Sequence, residues 1–139
     1  MPRLVDLGVE PYLLAPTLIG VVGQRLVRRL CPDCRTPAPD APEKLSALKL
    51  DLPTDLPAHL WQAHGCPECN QTGYRGRTGI HEYLYVDPAF APAISHGVNT
   101  TRLWELAREM GFKTMFEDGV IKSMRGITTL EEILRVTQK

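Results

Sequence analysis

Two Cys-Pro-x-Cys motifs constrain this chain more than any other feature of its sequence. They are Cys31-Pro32-Asp33-Cys34 and Cys66-Pro67-Glu68-Cys69, and together they contain all four cysteines of the protein. The proline fixes φ at the start of a tight turn, and the spacing lets two thiolates face one ion. Two such knuckles supply the closed tetrahedral shell of a structural zinc site. We therefore predict one structural Zn²⁺ bound by Cys31, Cys34, Cys66 and Cys69.

Other uses of paired cysteines fit the sequence less well. Iron in the same four-cysteine shell is the nearest rival, because the ligands alone do not separate the two metals. A redox pair needs one Cys-x-x-Cys in a βαβ context, which the sequence lacks, and disulfides need an oxidising compartment. The first residues carry no apolar signal segment, and the longest apolar stretch is too short to span a membrane. We expect reduced cysteines in the cytoplasm.

The sequence predicts a mainly α-helical fold with a few short strands, in three parts. Residues 1–30 form the edge of something larger, with a helix beginning near Pro16. Residues 31–86 form a tetracysteine zinc module with short helices in Ala41–Leu50 and Ala58–His64 and a strand over Ile80–Val86. Residues 87–139 form a C-terminal helical bundle. The predicted first helix carries one apolar stripe at helical spacing, formed by Leu18, Val21, Val22, Leu26 and Leu30.

Capping signals define the C-terminal helices. Asp87 precedes Pro88 and is predicted to cap a helix that ends at Gly97, and a second helix is predicted over Thr100–Met110. Thr114-x-x-Glu117 and Thr128-x-x-Glu131 both match the capping box, in which a threonine and a glutamate satisfy each other's backbone N–H groups. Two such boxes in succession favour an all-helical C-terminal region.

Charge and motif content limit the classes of function. The formal net charge is zero, so bulk electrostatics gives no attraction to nucleic acid. A free-standing zinc ribbon that binds nucleic acid is nevertheless the alternative, because arginines flank both knuckles: Arg25, Arg28, Arg29, Arg35, Arg75 and Arg77. The phosphate-binding pattern G-x-x-x-x-G-K-[ST] is absent, as is G-x-G-x-x-G, so we do not expect this chain alone to hydrolyse nucleotides.

Several runs of sequence, in order, cover nearly the whole chain and resemble one protein family. The chain is similar to the C-terminal part of the type II secretion and type IV pilus assembly ATPases (the general secretory pathway protein E family). Asp118-Gly119, Lys122 and Gly126 also fall where that family has them. The four longer runs are Gly8–Leu14 (GVEPYLL), Gln24–Cys31 (QRLVRRLC), the second knuckle with Thr72–Ile80 (TGYRGRTGI), and Thr128–Thr137 (TTLEEILRVT).

The resemblance implies a part of a hexameric RecA-like motor. In such a motor, ATP hydrolysis drives assembly of pseudopilin or pilin fibres through an inner-membrane platform protein. Residues 1–30 would then be the edge of the RecA-like core with its last helix. The expected partners are that core, other subunits and the platform protein, with a cytoplasmic location or peripheral attachment to the inner membrane. The family's Walker A and Walker B motifs lie upstream, so ATP and Mg²⁺ are expected only in the full-length parent.

Two arginines are candidates for contact with nucleotide or a neighbouring subunit in that motor. Arg25 lies in the Gln-Arg-Leu run and Arg77 in the Gly-Arg-Thr-Gly run, and the resemblance places both at the junction between core and zinc module. In the predicted first helix, Arg25 would lie near the apolar stripe and would need a carboxylate partner such as Glu82. Structural salt bridges are the alternative role for both arginines.

Overall fold

A computed structural model describes residues 2–95 and 100–137. This part of the chain contains seven α-helices and four strands, so the predicted mainly helical content with few strands is confirmed. None of its helices has the length and apolar character that crossing a membrane requires. The helices are α1 (Pro2–Asp6), α2 (Pro11–Thr17), α3 (Ala41–Ala47), α4 (Ala91–Ser95), α5 (Thr100–Glu109), α6 (Met115–Met124) and α7 (Leu130–Thr137). The strands are β1 (Gly20–Leu30), β2 (Thr36–Pro37), β3 (Trp61–Gln62) and β4 (Tyr74–Tyr85).

The helix predicted to begin near Pro16 is wrong, whereas the last helix of a RecA-like core, expected in residues 1–30, stays a prediction. Pro16 lies near the end of α2, and the residues that follow form β1. β1 pairs with β4, and hydrogen bonds join Val86 N–H to Ile19 C=O at 2.9 Å and Cys31 N–H to Gly73 C=O at 3.0 Å. The two strands are therefore antiparallel, and the partner strand overrides the helical spacing of the apolar residues.

One compact unit consists of the described residues of Met1–Gly23 and Glu82–Lys113. The carboxylate of Asp87 accepts a hydrogen bond from Ala89 N–H at 2.8 Å, which confirms the predicted cap. The capped element is a short 3-10 turn over Pro88–Phe90 that leads into α4, and the predicted end at Gly97 lies outside the described residues. The buried core of this unit comprises Leu14, Val86, Phe90, Ile94, Leu106 and Ala107.

A second compact unit consists of the described residues of Gln24–His81 and Thr114–Lys139. The capping box at α6 is confirmed, with Glu117 N–H donating to Thr114 Oγ1 at 3.2 Å. The box predicted at Thr128 and Glu131 is wrong: Thr129 Oγ1 accepts from Glu132 N–H at 3.2 Å, and the Glu132 carboxylate binds arginines instead of completing a box. The core of this unit is built from two clusters, one of Ala41, Leu45, Leu60, Val120, Met124 and Leu130 and one of Val27, Ile80 and Ile133.

The segment between the knuckles holds one helix rather than two. α3 falls within the predicted range Ala41–Leu50. The helix predicted over Ala58–His64 is wrong, since β3 pairs there with β2 in antiparallel fashion. The Arg35 guanidinium covers the Trp61 ring at 4.6 Å from its centroid, and this contact favours the extended backbone that brings the two residues together. The strand predicted at Ile80–Val86 is present but begins earlier, at Tyr74.

Candidate metal centre

The four cysteines converge as the knuckle motifs predict. Their sulfur atoms all lie within 4.8 Å of one another. The Sγ–Sγ distances are 3.8 Å for Cys31–Cys66, 3.8 Å for Cys34–Cys69 and 3.7 Å for Cys66–Cys69. A tetrahedral ion with metal–sulfur bonds of about 2.3 Å requires sulfur–sulfur edges of about 3.8 Å. All four are free thiols, as these separations require, so the cluster fits a four-cysteine metal site.

The paired long strands bring the two knuckles together. The first knuckle follows β1 directly, and the second forms a 3-10 turn over Pro67–Cys69 just before β4. Because Cys31 N–H bonds to Gly73 C=O at 3.0 Å, the end of β1 lies beside the residues that follow the second knuckle. Gly73 has φ +74°, and a Cβ there would lie 2.6 Å from the Cβ of Ala63. Only glycine therefore fits this close approach.

Backbone N–H groups point at the sulfur atoms. Cys69 Sγ accepts hydrogen bonds from Cys66 N–H and Gly73 N–H, both at 3.2 Å, and Cys34 Sγ accepts from Gly65 N–H at 3.3 Å. Burial would raise the pKa of Cys69, but these N–H groups and the neighbouring thiols outweigh it and lower the pKa to about 6. Burial raises the pKa of the other three thiols. Cys69 is thus the thiol best prepared to bind a cation as thiolate.

The structure also reveals a buried carboxylate that the sequence analysis did not single out. Glu132 of α7 has no exposed side-chain surface, and its carboxylate accepts hydrogen bonds from the guanidinium groups of Arg28 and Arg135 at 2.7–3.0 Å. Burial would raise its pKa, but these donors dominate and lower the pKa to about 2. The only sequence signal for Glu132 was its place in the run Thr128–Thr137, which resembles the family, because spacing does not distinguish Glu132 from its neighbour Glu131.

The two candidate arginines lie on the paired strands, apart from the cysteine cluster. Arg25 lies on β1, is exposed, and donates a hydrogen bond to the main-chain carbonyl of Val136. Because β1 is a strand, the helical apolar stripe that was expected beside Arg25 does not form. Arg77 is exposed on β4, and its guanidinium forms no hydrogen bond or ion pair within the described part of the chain. Contact with nucleotide or another subunit stays a prediction for both.

Comparison with known proteins gives matches along almost the whole chain. A family model described as "Type II/IV secretion system protein" matches residues 1–135. The type IV pilus assembly ATPase PilB of Thermus thermophilus is 46% identical over 135 residues, which cover 97% of this chain and 15% of that protein. The type II secretion system protein E of Aeromonas hydrophila is 43% identical over 137 residues, which cover 99% of this chain and 27% of that protein. The type II secretion system ATPase E of Vibrio cholerae is 44% identical, also covering 99% and 27%. The chain therefore spans roughly a quarter or less of the length of these relatives.

Proposed function

The chain belongs to the type II/IV secretion system protein family, and we propose that it is the zinc-binding and helical region of a secretion or pilus motor ATPase. Its role would be assembly of the motor and coupling to partner proteins. The observation that carries this proposal is the cluster of four sulfur atoms, all within 4.8 Å of one another, inside residues 1–135, which match the family model.

The proposed zinc is structural. Four protein thiolates fill a tetrahedral shell and leave no position for water or substrate, so the metal would hold the knuckles together rather than take part in chemistry. Its stabilising effect would be local, because the region between the knuckles has one short helix and only two short strands of its own. The family match does not favour a separate role in nucleic-acid binding, which also lacks support from net charge.

Exposed apolar side chains in the first unit support a role in coupling to other protein surfaces. The exposed fraction is 74% for Leu7, 64% for Tyr12, 73% for Ile19 and 62% for Val22. These residues all fall within residues 1–30, the part of the sequence that the resemblance places at the edge of a RecA-like core. Large exposed apolar side chains offer surface that a protein partner can bury. We propose the core, neighbouring subunits and the membrane platform protein as the partners.

We also propose that Arg25 and Arg77 approach nucleotide or a neighbouring subunit in the full-length motor. Both side chains are exposed, and the Arg77 guanidinium is committed to no partner among the described residues. Replacing each by alanine in the full-length protein should raise KM for ATP or lower kcat. Unchanged kcat and KM would refute the nucleotide role.

The metal is tested by native mass spectrometry of protein purified without added metal. We expect one zinc per chain, a colourless protein, and four thiols that become reactive once a chelator removes the metal. A red protein with one iron would correct the metal but keep the site. A metal-free protein with two disulfides would refute the site.

The coupling role is tested by exchanging segments. We would replace the matching 137 residues of the Aeromonas hydrophila protein with this chain and measure secretion by cells that carry the chimera. Secretion should persist with the wild-type segment and be lost with Cys34→Ser. Glu68→Gln is the matched control, because Glu68 lies within a knuckle but provides no thiolate. Equal secretion by the Cys34→Ser chimera would refute the need for the metal in coupling.

A further inference from the structure

The turn between α6 and α7 is hydrogen-bonded to both sides of the first knuckle. Upstream of the knuckle, Ile127 C=O accepts from Leu30 N–H at 2.9 Å, and Thr128 Oγ1 donates to Arg28 C=O at 2.8 Å. Downstream, the Arg35 guanidinium donates to Gly126 C=O. The residues that flank Cys31 and Cys34 are thus held by a segment 91 to 100 positions later in the sequence.

Glu132 completes this arrangement from the first turn of α7. Its carboxylate accepts a hydrogen bond from Arg28 N–H at 3.0 Å and two more from the Arg28 guanidinium at 2.9 and 3.0 Å. Arg28 also covers the Tyr74 ring at 4.0 Å, and Tyr74 Oη lies 3.0 Å from Thr129 Oγ1. One buried carboxylate therefore fixes both the main chain and the side chain of the strand that ends at the first knuckle.

The two knuckles differ in where their support comes from. The second is held locally, since Cys66 N–H and Gly73 N–H both donate to Cys69 Sγ at 3.2 Å. The segments on either side of the first are held through the α6–α7 turn and Glu132, described above. Groups that orient metal ligands without touching the metal typically change metal affinity about 10–100-fold when they are removed.

We propose that α7 and the turn before it clamp the first knuckle, so that docking of α7 and retention of the metal are thermodynamically coupled, with Glu132 as the positioning residue. This inference rests on the proposed metal site. Coupling is reciprocal: whatever factor α7 docking adds to metal affinity, the metal adds to the docking of α7. The run Thr128–Thr137, which the metal site alone leaves without a role, would then act as the clamp.

The test measures the rate at which zinc passes from the loaded chain to a coloured chelator, 4-(2-pyridylazo)resorcinol. Glu132→Gln keeps the shape of the side chain but removes its charge, and we expect zinc release to be about tenfold faster or more. Glu131→Gln is the matched control, because Glu131 is the neighbouring residue of α7 and its exposed carboxylate binds Lys44 instead. This control should stay within about twofold of the wild type. Equal release from the two variants would overturn the inference.

A second variant keeps the test decisive if Glu132→Gln does not fold. Thr128→Val removes only the hydrogen bond from Oγ1 to Arg28 C=O, and it should also accelerate zinc release relative to Glu131→Gln. Release no faster than that of the control would count against the clamp.

Hydrogen exchange on the wild type provides the reciprocal measurement. Removing zinc should accelerate exchange of the α7 amides by about tenfold or more, while the amides of α5 in the first unit serve as the internal reference. Equal exchange rates of the α7 amides with and without zinc would overturn the inference and leave the metal site intact. A wild-type chain that binds no zinc would instead overturn the proposed function.

Discussion

Gly119 lies inside α6, where alanine would normally be the more stable residue. In an exposed helix, the exchange of glycine for alanine gains about 1 kcal/mol. Gly119 is buried, however, and a Cβ there would lie 2.7 Å from Cγ2 and 2.8 Å from Cδ1 of Ile133 on α7, with Cγ1 at 3.1 Å. We therefore predict that Gly119→Ala destabilises the protein.

The size of the effect follows from how little Ile133 can move. Its side chain is fully buried, and its branched Cβ restricts χ1, so three of its atoms cannot all swing away from a new methyl group. Overpacking of a well-packed core costs about 1–3 kcal/mol, and three contacts at once place this site near the upper limit. After subtracting the helical gain of about 1 kcal/mol, we expect a net loss of about 2 kcal/mol.

Urea unfolding of the zinc-loaded protein provides the assay, extended to a double-mutant cycle. Ile133→Ala alone should cost about 2–5 kcal/mol because it leaves a cavity. In the double variant, the Gly119→Ala methyl group occupies part of that cavity, so the combined loss should be smaller than the sum of the single losses. A Gly119→Ala protein at least as stable as the wild type, or strictly additive losses, would refute the packing argument.

Further predictions concern Glu132, the metal and Gly73. The pKa of Glu132 falls from 4.5 to about 2, so its carboxylate contributes about 3 kcal/mol above pH 4.5, which is lost as pH falls through about 2. With zinc removed from both proteins, the free energies of unfolding of wild type and Glu132→Gln, measured by urea, should therefore differ by that amount at pH 6 and converge near pH 2. A difference that does not change with pH would contradict this. Chelation of the zinc should first accelerate hydrogen exchange of the amides in residues 31–73, while the amides of α5 stay protected. An equal loss of protection in the two segments would contradict this. Gly73→Ala should weaken zinc affinity by about tenfold or more, measured by competition with a chelator, because its Cβ would meet Ala63; unchanged affinity would contradict the close approach.

Local patterns were enough to predict the cluster of four cysteines and the start of α6. Each knuckle encodes its own turn, and four cysteines leave few ways to form a tetrahedral shell, so their convergence follows from composition and spacing. The box at Thr114 is equally local, because its hydrogen bonds join residues three apart. The second box did not form; Thr129, and not Thr128, accepts the hydrogen bond at the start of α7, since both residues carry hydroxyls. The Thr128 hydroxyl donates to Arg28 C=O instead, a contact 100 residues away in sequence.

β1 shows why sequence patterns fail when a distant partner decides. Leu18, Val22 and Leu26 recur at helical spacing, and this periodicity predicted a helix. The chain forms a strand because β4, more than 40 residues later, offers a continuous row of backbone partners. The strand buries Val27 and Leu30 in the second unit, whereas Val22 and Leu26 stay largely exposed. The spacing of apolar residues therefore predicted neither the type of element nor which of its residues are buried.

Glu131 and Glu132, near the candidate site, also differ in a way that local sequence does not predict. They are adjacent, identical in type and both in the first turn of α7, where acidic residues complement the helix dipole. One is exposed and binds Lys44, whereas the other is completely buried and holds Arg28 beside the first knuckle. No local rule separates the two, because the distinction depends on which face of α7 meets β1. A buried charge is retained only where its partners are fixed, since losing one partner leaves the other uncompensated. Such a residue therefore fixes the relative position of two distant segments more strictly than an apolar contact does. The segments that Glu132 links are the C-terminal helix and the strand that ends at the first knuckle.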